Sequence, residues 1–151
     1  MSTDKPVRIS REGGVGVLEL ARPDKFNCLS LAVHAAIAEA LDEFEAPGSG
    51  VRAVLVRAQG KHFCTGADLD EVKRLRSRPA DIEHFIRYGH VVLQRLEASS
   101  LPVVAACQGL ALAGGGEHAL TLHLNHARAA IAVGTVAGLR IPAQVRDRRA
   151  L

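Results

Sequence analysis

The sequence predicts a single α/β domain, because short β-branched runs alternate with segments of helical period and glycine-rich turns join them. Two of those turns have one layout, a buried strand, a glycine loop and the start of a helix. The chain has 151 residues, 48% of them hydrophobic and 3% aromatic. That length suffices for a self-supporting core, which must be built from Val, Leu, Ile and Ala.

Val15-Gly-Val-Leu-Glu-Leu20 alternates its apolar residues and is broken by Arg22-Pro-Asp-Lys25, giving a strand and then a loop. Ser30 is positioned as the N-cap of a helix carrying Val33, Ile37, Leu41 and Phe44 on one face, which Pro47-Gly-Ser-Gly50 stops. Val51 to Arg57 reads as a buried strand entering the first glycine loop, Gln59 to Gly66, and the chain turns helical from Ala67. Asp68, Asp70 and Glu71 then fall in a first helical turn, where simple capping accounts for them. A longer helix is expected over about Ala80 to Ala98, with Ile82, Phe85, Ile86, Leu93 and Leu96 on its apolar side. Leu101 to Cys107 is a third strand, followed by the second glycine loop, Gln108 to Gly116, and a helix from Glu117 to about Leu124. Repeats, low-complexity segments and linkers are absent, so residues 1–151 are expected to form one domain.

Several function classes lose support early. A net charge of +3, with arginines clustered at Arg140, Arg146, Arg148 and Arg149 and no aromatic residues among them, gives no platform for nucleic acid. Cys28, Cys64 and Cys107 lack C-x-x-C spacing, which argues against a zinc ribbon or a disulfide framework and for a reducing cytoplasm. Met1 to Pro6 has no apolar signal core and no run is long enough to span a bilayer, so a soluble, unexported, non-membrane chain is expected. Gly60-Lys61-His62 is no P-loop, Gly109 to Gly116 is no G-x-G-x-x-G, and the serine-hydrolase elbow G-x-S-x-G is missing. Cys64 reads as a small apolar filler.

What the two glycine loops do have is main-chain N–H groups at helix starts, which favour an oxygen that gathers negative charge. Gly60-Lys-His-Phe-Cys-Thr-Gly-Ala-Asp-Leu69 and Gly109-Leu-Ala-Leu-Ala-Gly-Gly-Gly-Glu-His118 resemble, in order and spacing, the two oxyanion-hole segments of the enoyl-CoA hydratase/isomerase (crotonase) family. Gly16 to Leu29 is similar to that family's opening strand and its "RP…N-x-L" loop. The likeness covers residues from about 7 to 120 and diverges over 121–151.

The resemblance implies a crotonase-like spiral of ββα units with its C-terminal helical part missing. It implies an acyl-CoA thioester as substrate, with coenzyme A part of that substrate and no further cofactor or metal. The N–H groups of Ala67 and Gly114 would form the oxyanion hole, and Glu117 would be the catalytic carboxylate that orients water. Lys25, Phe26, Ala67, Asp68, Leu69, Asp70 and Gly114 would bind substrate, with Lys25 and Arg22 near the CoA phosphates, although surface charge is the simpler reading of Arg22. Hydratases of this type use a second glutamate, but beyond Glu117 the only acidic residue is Asp147, and Ala137 stands near the expected place. His118, His123 and His126 are polar helix residues rather than a metal set.

Hydration of a 2-enoyl-CoA is therefore the nominal reaction. A non-catalytic crotonase-fold remnant that binds acyl-CoA or a partner subunit stays open. So do isomerisation and thioester hydrolysis, which need a different acid/base residue; Asp70 and Glu71 are carboxylates on the first loop that could contribute, although nothing in the spacing demands it. The resemblance also implies a homo-oligomer, a trimer or dimer of trimers, and the chain ends where relatives continue into the helices that build it.

Overall fold

The computed structural model describes residues 5–111 and the backbone of 130–133. Five strands form one sheet in sequence order, β1 (Val7–Glu12), β2 (Val15–Leu20), β3 (Ala53–Ala58), β4 (Val103–Cys107) and β5 (Ala130–Val133). β1 runs antiparallel to β2, and β2 to β5 are parallel neighbours. The first crossover is α1 (Leu31–Glu45), and the second contains α2 (Leu69–Leu75) and α3 (Pro79–Glu97).

Each element follows from local chemistry. Ser30 caps α1 as expected, its Oγ accepting the Val33 N–H at 3.2 Å. The face carrying Val33, Ile37, Ala40, Leu41 and Phe44 is buried, and α1 packs on β1, β2 and α3. Helix α1 ends in extended backbone at Ala46, before Pro47. Strand β2 is buried almost throughout, as a strand with neighbours on both sides should be, whereas β1 keeps only Val7 buried and turns its charges to solvent at the sheet edge.

Three expectations need adjusting. The sequence pattern does not predict β1, because its two apolar residues make a weak pattern and Ile9 is exposed; the hairpin through Gly13, at φ +59°, supplies the pairing that the pattern lacks. Nor does it predict β5, in the region of weak resemblance. In α3 the buried side runs through Phe85, Gly89, Val92, Leu93 and Leu96, which leaves Ile86 half exposed rather than inward. The adjustment is a rotation: Gly89 lets that face approach the buried His34 of α1, and Ile86 turns off the contact line. The predicted helix after Glu117 lies outside the described residues.

Phe44 is fully buried and lies over β2, where a Cβ at Gly16 would come within 2.8 Å of its ring. Glycine at that position is thus a packing requirement. Gly16→Ala is expected to destabilise the fold by about 1–3 kcal/mol through overpacking, read as a lower urea midpoint with an unchanged slope.

Candidate functional site

The loop after β2 and the loop after β3 are sewn together. Residues Pro23–Lys25 form a 3-10 turn, after which Phe26 and Asn27 take positive φ of 51° and 54°. Asn tolerates that conformation and phenylalanine does so at a cost, so the turn has to be held from outside. It is held chiefly by Asn27, which is buried: its Oδ1 accepts the Arg22 N–H at 2.9 Å, and its Nδ2 donates to the Gln59 and His62 carbonyls at 2.8 Å each. Its importance was not read from the sequence, although the "N-x-L" fragment and the αL preference of Asn were signals for it.

Beyond this turn the two loops pair as parallel strands for one residue, Leu29 against Ala67. The Leu29 N–H donates to the Gly66 carbonyl at 2.8 Å, and the Asp68 N–H donates to the Leu29 carbonyl at 2.9 Å. In such a bridge the groups flanking Ala67 face Leu29, so the N–H of Ala67 itself points to the other side. It donates to no acceptor among the described residues, and Ala67 is exposed. The cleft beside it has a volume of about 450 Å³ and is lined by Asp24, Lys25, Phe26, Cys28, Thr65, Ala67, Asp68, Leu69 and Asp70. Every described residue expected to bind substrate is thus brought to one cleft. Gly114 and Glu117 lie outside the described residues.

The side chains divide into inner and outer sets. Asp68 caps α2, its Oδ1 accepting the N–H groups of Asp70 and Glu71 at 3.1 Å each, while its Oδ2 takes Arg22 at 3.0 Å. Burial alone would push this carboxyl up, but the Glu71 N–H and the Arg22 guanidinium outweigh it and hold the carboxyl below the usual range. Arg22 turns inward, donating also to the Cys28 carbonyl at 3.2 Å, and so neither reaches for phosphates nor stands free in solvent. The Glu71 carboxylate accepts the Leu31 N–H at 2.9 Å, tying α2 to the start of α1. At the rim, Lys25 pairs with Asp70 at 3.0 Å, and the Asp70 carboxylate pushes its ammonium up. Phe26 and Leu69, 55% and 67% exposed, are apolar surface at the cleft mouth. Lys25, Phe26, Leu69 and Asp70 are free to meet a ligand, whereas the Asp68 carboxylate is fully engaged.

The cysteines are inert fillers. Burial pushes the Cys64 and Cys107 thiols up to about 11, and it raises Cys28 as well, with the Asp68 charge adding to it. Cys64 Sγ accepts the Gly66 N–H at 3.4 Å, which helps shape the loop. Among the described residues no cluster of His, Cys, Asp and Glu could hold a metal, and no helix is long and apolar enough to cross a membrane.

Replacing Asp68 by Ala removes a helix cap and leaves a half-buried guanidinium unpaired, for an expected loss of about 2 kcal/mol of stability. Because its folded carboxyl is held low, the contribution is present above the unfolded value of about 3.9 and is lost as pH falls through the folded one. Acid unfolding below about pH 4 should therefore be steeper in the wild type than in Asp68→Asn, which keeps the cap but not the charge. Equal acid profiles for the two proteins would show that the Arg22 pairing contributes nothing.

Comparison with known proteins identifies the family and the fold. A family model for enoyl-CoA hydratase/isomerase matches residues 10–130. A Bacillus subtilis protein named "Probable enoyl-CoA hydratase" is 32% identical over 111 residues, which are 74% of this chain and 42% of that protein. A solved Pseudomonas aeruginosa structure superposes with a TM-score of 0.73 at 30% identity, covering 96% of this chain and 63% of the other. The enoyl-CoA hydratase structure from Polaromonas does so with a TM-score of 0.72 at 27% identity, over 83% and 48%. The chain thus spans less than half the length of the curated relative. Its fold is the crotonase fold, and the chain belongs to the enoyl-CoA hydratase/isomerase family.

Proposed function

We propose that the cleft holds an acyl-CoA thioester and that the nominal reaction is hydration of a 2-enoyl-CoA. The observation that carries the reading is the Ala67 N–H: the residue lines the cleft, and the N–H is turned away from the pairing that fixes it and donates to no acceptor among the described residues. The thioester oxygen accepts this N–H and that of Gly114. Attack of water on the β-carbon sends the π electrons toward that oxygen, and two preorganised donors stabilise the enolate by about 3 kcal/mol each. Glu117 takes the proton from the attacking water and returns it to the α-carbon, so a single carboxylate closes the cycle. Coenzyme A enters only as part of the substrate. Lys25 exchanges Asp70 for a CoA phosphate, while Phe26 and Leu69 cover apolar parts of the ligand.

Loss of enoyl absorbance with crotonyl-CoA tests the reaction. Glu117→Gln is expected to lower turnover about 10²- to 10⁴-fold with CoA binding retained. Binding without turnover in the wild type rejects hydration in favour of the non-catalytic reading; a product of unchanged mass favours isomerisation, and release of free CoA with the acyl acid favours thioester hydrolysis. Lys25→Ala should weaken CoA binding about fivefold at low salt and less at high salt, as an exposed cation does, with titration calorimetry as the measurement.

A further inference from the structure

His62 sits where three loops meet, and neither the proposed binding nor the proposed proton transfer uses it. Its carbonyl accepts the Asn27 side-chain amide at 2.8 Å, and its ring lies against Phe26 with centroids 5.6 Å apart at 56°. Its Nδ1 accepts the Leu110 N–H at 3.2 Å. The segment around Leu110 approaches closely: the Phe63 N–H is shared between the Gln108 and Leu110 carbonyls, at 2.8 and 3.0 Å. Gly109, at φ +58°, has its backbone so near that a Cβ would lie 2.7 Å from His62 Nδ1 and closer still to the Lys61 carbonyl. Gln108 Nε2 donates back to the Ala58 carbonyl at 2.7 Å. The chain then runs from Ala111 directly to Gly114.

We propose that His62 is a positioning residue: its ring, by accepting the Leu110 amide at Nδ1, sets the start of the second glycine loop in register with the first. The reason lies in the imidazole itself. An imidazole nitrogen that carries no proton accepts a hydrogen bond, and Nδ1 is the one that faces the Leu110 N–H. For function the inference rests on the oxyanion-hole reading proposed above, in which each loop contributes one donor to the thioester oxygen.

The test is amide hydrogen exchange at Leu110, followed by NMR on the full chain, with the Leu29 amide as the reference for general stability. His62→Asn keeps an acceptor near the place of Nδ1; His62→Phe keeps the ring against Phe26 and has no acceptor. Near pH 8, wild type and His62→Asn are expected to protect Leu110, and His62→Phe to lose about tenfold of that protection while Leu29 keeps its own. Equal Leu110 protection in wild type and His62→Phe overturns the proposal. So does a loss that extends equally to Leu29. The readout needs no turnover, so failure of the hydratase reading and failure of this one are separately visible.

Discussion

One residue of parallel pairing, Leu29 against Ala67, is what the rest of the site depends on. Two hydrogen bonds, Leu29 N–H to the Gly66 carbonyl and Asp68 N–H to the Leu29 carbonyl, fix the peptide planes on either side of Ala67. With those planes fixed, the remaining N–H has only one direction left. A donor held this way needs no reorganisation when negative charge develops before it, which is the condition for main-chain groups to stabilise an enolate. Leu29 is itself held from behind, as the last residue before the Ser30 cap of α1, so the first crossover helix anchors the loop that aims the amide.

Asp68 is the electrostatic counterpart of that bridge. Its two oxygens accept from a guanidinium and from two N–H groups of α2, so one buried charge joins the post-β2 loop to the post-β3 helix. Such a charge is tolerated because it is fully hydrogen bonded, and removing one partner would leave the other exposed to the full cost of burial. The outer pair, Lys25 with Asp70, is solvated on both sides and correspondingly weak, with side chains 50% and 62% exposed. The gradient from a tight inner pair to a loose outer one suits a cleft whose floor must stay fixed while its rim exchanges partners with a ligand.

Much of this was legible in the sequence, for identifiable reasons. The helix start at Ser30, its stop at Pro47 and the strand entering Gln59 follow from capping, proline and β-branching, all local effects. The two glycine loops declared themselves through spacing, and the cleft residues Lys25, Phe26 and Leu69 followed from the likeness those loops carry. What stayed hidden depends on partners far along the chain. β1 exists because β2 offers it an edge, and Arg22 reads as a surface cation until Asp68, 46 positions away, is folded against it. His62 likewise has no signature of its own, since its acceptor role appears only when Leu110 arrives from 48 positions further on.

The proposed chemistry splits along the same line between main chain and side chain. An oxyanion hole made of N–H groups is indifferent to the identity of the residues that carry them, so long as glycine and small residues allow the turns. It can therefore persist while side chains diverge. Proton transfer has no such tolerance, because only a titratable side chain at the correct place performs it, and beyond Glu117 the sequence offers just Asp147. In the proposed reading, holding a thioester oxygen would rest on backbone geometry fixed by Leu29, Asn27 and Asp68, and the choice of reaction on one carboxylate. The first would be a property of the fold and the second of a single residue, so under that reading binding and turnover are physically separable.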